Sequence, residues 1–283
     1  MNDTVSCVVV NYNDAETTIE LINSIYSFDS LHKIIIVDNH SSDDSIDRMT
    51  MLVDEKVVLL KNSNNGGYGA GNNIGIKYAI EEVGSKYCII ANPDIIFTND
   101  VVKKMKSFLE KHPSYAIVSP KQKGSDDLAW KETGIIGDQL YNSVLLNKLF
   151  RPRYYPKDHY NNEFANVFAV PGCFLMVRTK AMADIGMYDE EFFLFEEEKV
   201  IGTKMRNAGW KSAIITNCEY IHNHSVSIKK TFSSYAKRKK LVLKSNALYV
   251  RKYLKANRVQ QFFIAVYHKL LIGECYLLSI VIR

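Results

Sequence analysis

Nothing in this chain pairs its cysteines: Cys7, Cys88, Cys173, Cys218 and Cys275 are five in number, widely spaced and without a CxxC motif. An odd, scattered set argues against a disulfide frame and against a structural zinc site. Three of the five fall in apolar, strand-like runs, so reduced thiols in a cytosolic setting are expected. The start, Met1-Asn-Asp-Thr4, lacks the basic-then-apolar order of a secretory leader. No stretch supplies the roughly 20 predominantly apolar residues of a membrane span. The most apolar segment, 260–282, is interrupted by His268, Lys269 and Glu274 and fits an interfacial helix better. Zinc fingers, RNA-binding signatures and Gly-rich basic repeats are missing too, which argues against a nucleic-acid partner. Between Val10 and Lys33 there is no Lys or Arg, so the basic Gly-Arg loop that a sugar-nucleotide-forming nucleotidyltransferase needs near its start has no counterpart.

What is present suffices for a full core: 283 residues at 47% hydrophobic content make one large domain or one and a half. The charge is unevenly shared. Residues 226–283 hold thirteen Lys and Arg against a single acid, Glu274, a net +12, which leaves the preceding residues at −7 within the overall +5. An acidic body with a basic extension points to an anionic surface, and of nucleic acid and membrane phospholipid the second is favoured. The expected division is an α/β body, residues 1–225, and a helical extension, residues 226–283, that meets a membrane or packs its apolar face on the body or on a second subunit of a homodimer.

Strand and helix signals alternate through the first 120 residues. Apolar β-branched runs at 5–10, 33–37, 57–60 and 87–91 read as strands, and helical spacing reads at 14–28, 42–53, 71–83 and 99–111. Strict alternation implies a mainly parallel, doubly wound sheet. Residues 122–165 lose that rhythm and read as a long irregular segment, such as an acceptor-facing flap. A strand follows at 167–177, broken at Pro171-Gly172, then a helix at about 197–208 ended by Gly209, a strand at 212–216, and two or three basic amphipathic helices.

Four polar features stand at the carboxyl ends of the first four strands: Asn11-Tyr-Asn13, Asp38-Asn39, the segment 65–73 and Asn92-Pro-Asp94. A parallel sheet brings such ends to one crevice, where ligands bind. Pro93 cannot continue a central strand, so the sheet stops there and exposes Asp94; the plainer reading is a strand-ending turn. Asp38 by itself would read as a helix-capping acid, but in this crevice it can accept the N–H of a pyrimidine base. The run Asn65-Gly-Gly-Tyr-Gly-Ala-Gly-Asn72-Asn73-Ile-Gly75 fails the dinucleotide G-x-G-x-x-G test, because the third glycine counted from Gly69 and Gly71 is Ile74. Its glycines, Gly67 among them, still permit close backbone approach to a ligand, unless they serve only a positive-φ turn. Glu196-Glu-Glu198 opens a helix after Phe192-Phe-Leu-Phe195: either a solvated first turn that complements the helix dipole, or a pocket edge where one carboxylate acts as general base. His222 and His224, incidental as an isolated pair, could complete an octahedral Mg²⁺ or Mn²⁺ site with a distant Asp and diphosphate oxygens.

Together these pieces resemble the family-two glycosyltransferases of bacterial surface-polysaccharide synthesis, in their rhamnosyltransferase-like branch with a GT-A fold. The motifs VVVNYN, IIIVDNHSSDDS, NNGGYGAGNNIGI, ANPDIIF, PGCFLMVR, MYDEEFFLFEEE with RNAGW, and IHNHSVS carry the resemblance in this order, over about residues 5–227. It implies an inverting transfer of a hexosyl or deoxyhexosyl group, rhamnosyl or galactosyl among them, from a nucleotide-diphosphate sugar to a glycan on a polyprenyl diphosphate, for O-antigen or capsule, at the cytoplasmic face of the inner membrane. Asn11, Asn13 and Asp38 would hold base and ribose, and Asn65, Gly67 and Asn72 the nucleotide or its sugar. Asn92-Pro-Asp94 would be the counterpart of the metal-binding DxD, Asp94 the ligand and His222 or His224 its partner. Gly172 and Cys173 would border the acceptor, with Glu198, or second Glu197, as base. Two departures stand out: Asn92 replaces the first acid of DxD, and Glu197-Glu198 replaces the usual Glu-Asp. A sugar-nucleotide-binding protein without catalysis is the alternative from another class.

Overall fold

The computed structural model describes residues 2–126, 128–150, 153–223 and 235–281. The first half follows the sequence closely. Strands β1 (Asn2–Asn11), β2 (Lys33–Asp38), β3 (Val57–Lys61) and β4 (Ser85–Ala91) alternate with helices α1 (Ala15–Ile25), α2 (Ser45–Thr50) and α3 (Tyr68–Glu81). Strands β1, β2 and β4 are buried on both faces, which is why each reads as a continuous apolar run instead of an alternation, while β3 at the sheet edge is only half-buried. In β1, Val5, Cys7 and Val9 join the cluster under α1 and α4 (Asn99–Lys111), while Val8 joins the cluster under α3 on the other face. The odd and even residues of β2 and β4 divide in the same way.

The sheet order is β3-β2-β1-β4-β8-β6-β9-β5, where β5 is Ile95–Ile96, β6 Tyr115–Gln122, β8 Phe174–Arg178 and β9 Lys211–His222; β7 (Phe164–Val167) pairs with β9 off this path. As expected, most strands of the sheet share one direction, but three of them, β5, β7 and β8, run against the rest. The first four strands are parallel, β8 runs antiparallel to β4 and β6, and β9 is parallel to β6. This turnabout brings the amino end of β8 and the carboxyl ends of β4, β6 and β9 to one edge. The reading of 167–177 as one broken strand resolves into β7 and β8, and β9 continues well past Thr216 to His222.

Residues 122–165 are less irregular than expected. They hold helices α5 (Ile135–Asn142) and α6 (Val144–Phe150) and a 3-10 turn at Lys157–Tyr160. Periodicity could not find α5 and α6 because their pattern is inverted: α5 buries Asp138, Gln139 and Asn142 while Ile136 is exposed, and α6 buries none of its side chains. Helices α7 (Thr179–Asp184) and α8 (Glu197–Asn207) precede β9, and α9 (Tyr235–Lys252) and α10 (Arg258–Val281) close the chain. Tyr249 and Val250 of α9 and Ile264 of α10 share a buried cluster with Phe192 and Val200, so the basic extension is packed on the body. All five cysteines are free thiols, four of them buried. No helix among the described residues is long and apolar enough to cross a membrane.

Candidate functional site

The crevice forms where the carboxyl ends of β3, β2, β1 and β4 meet the amino end of β8. Asn11 and Asp38 face each other in register at the ends of β1 and β2. Both are fully buried. The Asn11 amide donates to Asp38 Oδ2 at 2.9 Å and to Ser41 Oγ at 3.1 Å, and its oxygen accepts the Thr18 hydroxyl at 2.9 Å. The Ser41 hydroxyl and amide occupy the Asp38 carboxylate, at 2.6 and 2.9 Å. Asn11 and Asp38 are thus bonded to each other and to Ser41 of the loop that follows β2. Asn13, at φ 52°, accepts the Ser42 amide at 2.8 Å and shapes the same loop.

Asn39, named above only as part of a strand-end pair, pins the glycine-rich turn. Its amide donates to Asn65 Oδ1 and to the Gly67 carbonyl, each at 3.0 Å. Gly67 has φ +91° and lies against the Phe193 carbonyl, where a Cβ would clash, so only glycine fits. Asn72 is buried and donates to the Tyr68 carbonyl at 3.0 Å, inside its own helix. Its neighbour Asn73 reaches farther: it donates to the Tyr188 carbonyl and to Glu190, and accepts the Tyr188 amide. The buried amide of Asn73 in an otherwise apolar helix was the signal for this tie, and it moors the loop that leads to the acids.

At the end of β4, the Asn92 backbone amide donates to the Cys173 carbonyl at 2.8 Å, so Asn92-Pro-Asp94 and Gly172-Cys173 touch. Pairing of β5 with the end of β9 sets Ile95 opposite His222, and Asp94 Oδ1 lies 3.3 Å from His222 Nε2. Oδ1 is buried and receives no well-aligned hydrogen bond. Burial disfavours charge on His222, yet Asp94 and Cys173 beside it outweigh this and push the imidazole up to about 10. The imidazolium faces Asp94 Oδ1; a divalent cation held by the pair would have to displace its proton, with substrate oxygens and water as its remaining ligands. Among the described residues no group of three or more His, Cys, Asp or Glu side chains could hold a metal by itself. His224, the alternative ligand, lies outside the described residues.

The acid run is not a solvated first turn. Glu196 and Glu197 are buried and Glu198 is half-buried. Phe195 and Glu196 both take left-handed backbone conformations, at φ 72° and 75°, a costly pair that needs external support. Glu196 is held by Lys199 and by Arg153 at 4.0 Å, and the Asn246 amide reaches it at 3.4 Å. Asp138 binds Arg153, Lys199 and Asn246 together. Burial opposes charge on Asp138, but the two cations outweigh it and hold the carboxylate below its usual range. His268 of α10 extends the network through Gln139 to Asn246, at 2.8 Å for each bond. From α9, the Ser245 hydroxyl donates to the Leu194 carbonyl at 2.7 Å, and Tyr253 to Asp189 at 2.7 Å. The basic extension therefore grips the loop that carries the acids.

Glu198 sits over Gly172, where a Cβ would come within 3.0 Å of its Oε1. Burial raises Glu198, while its own amide, Arg153 and the Gly172 amide support its ionised form. Glu197 has backbone bonds of its own, at its own amide and at Phe195, that favour its ionised form. One of its oxygens is buried without a partner, and burial, then the charge of Glu198, push it up to about 8. Burial thus raises both carboxyls of the pair, and Glu198 is the one that lies against Gly172.

The family model described as glycosyl transferase family 2 matches residues 6–186. The low-salt glycan biosynthesis hexosyltransferase Agl10 of Haloferax volcanii is 25% identical over 236 residues, 83% of this chain and 72% of that protein. An N-acetylglucosaminyl-diphospho-decaprenol L-rhamnosyltransferase of Mycobacterium tuberculosis is 20% identical over 251 residues, 83% of this chain and 81% of its own. Among solved structures, the mannosyltransferase PcManGT from Pyrobaculum calidifontis, in complex with GDP-Man and Mn²⁺, superposes with a TM-score of 0.62 at 12% identity, covering 96% of this chain and 72% of that one. S. aureus TarS 1-349 gives a TM-score of 0.57 at 14% identity, over 94% and 70%. At such identity the structural likeness speaks to the fold alone, the GT-A arrangement that the motifs implied.

Proposed function

The chain belongs to glycosyl transferase family 2, and from that premise we propose that it is an inverting, metal-assisted transferase. It moves a hexosyl or deoxyhexosyl group, with rhamnosyl and galactosyl foremost, from a nucleotide-diphosphate sugar to a glycan acceptor in O-antigen or capsule synthesis. The observation that carries this reading is the meeting of two unlike carboxylate settings at one sheet edge. Asp94 faces His222 at 3.3 Å, and Glu198 faces Gly172. The donor's base would enter over Asn11, Asn13 and Asp38, and its diphosphate would lie along the turn that Asn65, Gly67 and Asn72 build at the start of α3, where amides favour anions. Asp94 and His222 would hold a Mn²⁺ or Mg²⁺ ion, which when bound neutralises charge on the departing diphosphate. An acceptor hydroxyl beside Gly172 and Cys173 would give its proton to Glu198 as it attacks C1 opposite the leaving group. The test is a screen of UDP- and dTDP-sugars with Mn²⁺. One is expected to raise the melting temperature and to release nucleoside diphosphate when acceptor is added; a chain that neither binds nor consumes any of them is a scaffold, not this enzyme.

The acceptor reading, a glycan on a polyprenyl diphosphate, comes with a membrane-facing one. Val259, Phe262, Phe263, Val266 and Leu270 form an exposed apolar stripe along α10, opposite the buried stripe of Ile264, His268, Leu271 and Cys275. Exposed cations of α9 and α10 stand near it, and the one acid of the extension, Glu274, is turned inward to bond Ser143 and the Leu145 amide of α6. Such a face suits the interface of an anionic bilayer. Truncating the extension is a poor test, since α9 and α10 are part of the core. Changing Phe262→Ser together with Phe263→Ser removes only exposed side chains, and is expected to release the protein from phosphatidylglycerol vesicles at low salt without lowering its melting temperature. If the double variant instead splits a dimer and vesicle binding is unchanged, the stripe is a subunit interface.

A further inference from the structure

The transfer chemistry leaves unused a groove between α9 and α10, a cavity of about 490 Å³ beside the donor crevice. Lys244, Leu248 and Arg251 form one wall, Ile264 and Ala265 the other, and Phe193 closes the end. Lys244 and Arg251 are exposed and lie two helical turns apart, about 10 Å along α9, with Leu248 between them. Among the described residues neither has an acidic partner. The only acid lining the cavity, Glu191, is bound to Lys252. An aliphatic bed under an unneutralised positive rim suits an anion that carries a hydrocarbon chain. Plain phosphate would use the rim and not the bed, and a neutral glycan would use neither.

Two further observations say where such a ligand comes from and what it serves. The exposed phenylalanines of the stripe are on the same helix as Ile264 and Ala265, so a bilayer held at the stripe would lie next to the groove. At the other end, Phe193 turns its ring to the groove while its carbonyl accepts the Tyr68 amide at 2.9 Å, at the first residue of α3. Glu198 follows five residues later. A lipid lying in the groove thus borders both the donor turn and the loop of the base.

Resting on the transferase reading above, we propose that this groove is the site of the acceptor's isoprenoid diphosphate. Lys244 and Arg251 grip the diphosphate, and Leu248, Ile264 and Ala265 cradle the first isoprene units. The probe is farnesyl diphosphate, titrated into the full chain by calorimetry beside inorganic pyrophosphate and farnesol. Farnesyl diphosphate is expected to bind at least about tenfold more tightly than either, and the pair Lys244→Glu with Arg251→Glu, or Ala265→Trp alone, to weaken it by a similar factor. All three positions are exposed, so melting temperatures should be unchanged. The same variants should raise KM for a lipid-linked acceptor without raising KM for the sugar nucleotide. Equal binding of pyrophosphate and farnesyl diphosphate would reduce the groove to a plain anion patch, and full competition by phosphatidylglycerol vesicles would reassign it to bulk phospholipid; either overturns the proposal, as does unaltered binding in the variants. A wild-type chain that transfers no sugar would sink the transferase reading, while the farnesyl diphosphate titration would still decide the groove.

Discussion

Replacing Asp94 by alanine is expected to lower kcat by about 10²–10³ while leaving the fold intact, the loss that follows when one charge-stabilising contact to a leaving group is removed. The structure gives reasons for both halves of that expectation. Asp94 is buried, and among the described residues the side-chain partner recorded for its carboxylate is the His222 imidazole, so deleting the carboxylate costs that one pairing. The backbone contacts that shape the corner, Asn223 donating to the Asp94 carbonyl and β5 pairing with β9, do not involve the side chain. Function has no such reserve. Asn92, the residue in the place of a second carboxylate, offers an amide, which leaves Asp94 as the only negative charge of the motif. The variant should also lose any rise in melting temperature on adding Mn²⁺. Turnover at the wild-type rate would refute the assignment of Asp94.

The body of the fold was legible because burial on both faces writes β1, β2 and β4 as unbroken apolar runs, and because parallel order then puts their polar ends side by side. Strand β6 was not legible. Its Pro120 reads as a strand breaker, yet it stands where the register of β6 with β9 shifts, so the irregularity absorbs it. That Asp94 and Glu198 stand near one sheet edge was legible from strand order, but the residues that hold them there were not. Asn39 and Asn73 look like loop and helix polar residues, and only the folded chain shows them joining segments 26 and 115 residues apart. The network of Asp138, Arg153, Lys199, Glu196 and Asn246 was invisible for a related reason. Charges at core positions read as surface until their partners, up to 108 residues away, are known. Charge counting set the basic extension apart from the body, whereas its polar side chains tie it to the loop before α8.

The sharpest division of labour is expected between Glu197 and Glu198. Glu198→Gln should lower kcat by about 10²–10⁴, the usual contribution of a positioned general base, with little change in KM for the sugar nucleotide. Glutamine keeps the shape over Gly172 and can still accept the Gly172 amide, so what is lost is the ability to take a proton. Glu197→Gln should cost far less, because burial and the neighbouring charge push Glu197 from its ordinary 4.5 up to about 8, which disfavours the ionised form a base needs at neutral pH. That shift has a signature in stability. Between those two values the unfolded chain has released a proton that the folded chain retains, so the contribution of Glu197 to stability declines as pH rises from about 4.5 to 8. Glu197→Gln removes the titrating group and should flatten this part of the stability–pH curve, measured by urea unfolding at fixed pH values. If the two variants exchange behaviour, with Glu197→Gln inactive and Glu198→Gln close to wild type, the base is Glu197, which lines the same small cavity as Glu198, Gly172 and Tyr188.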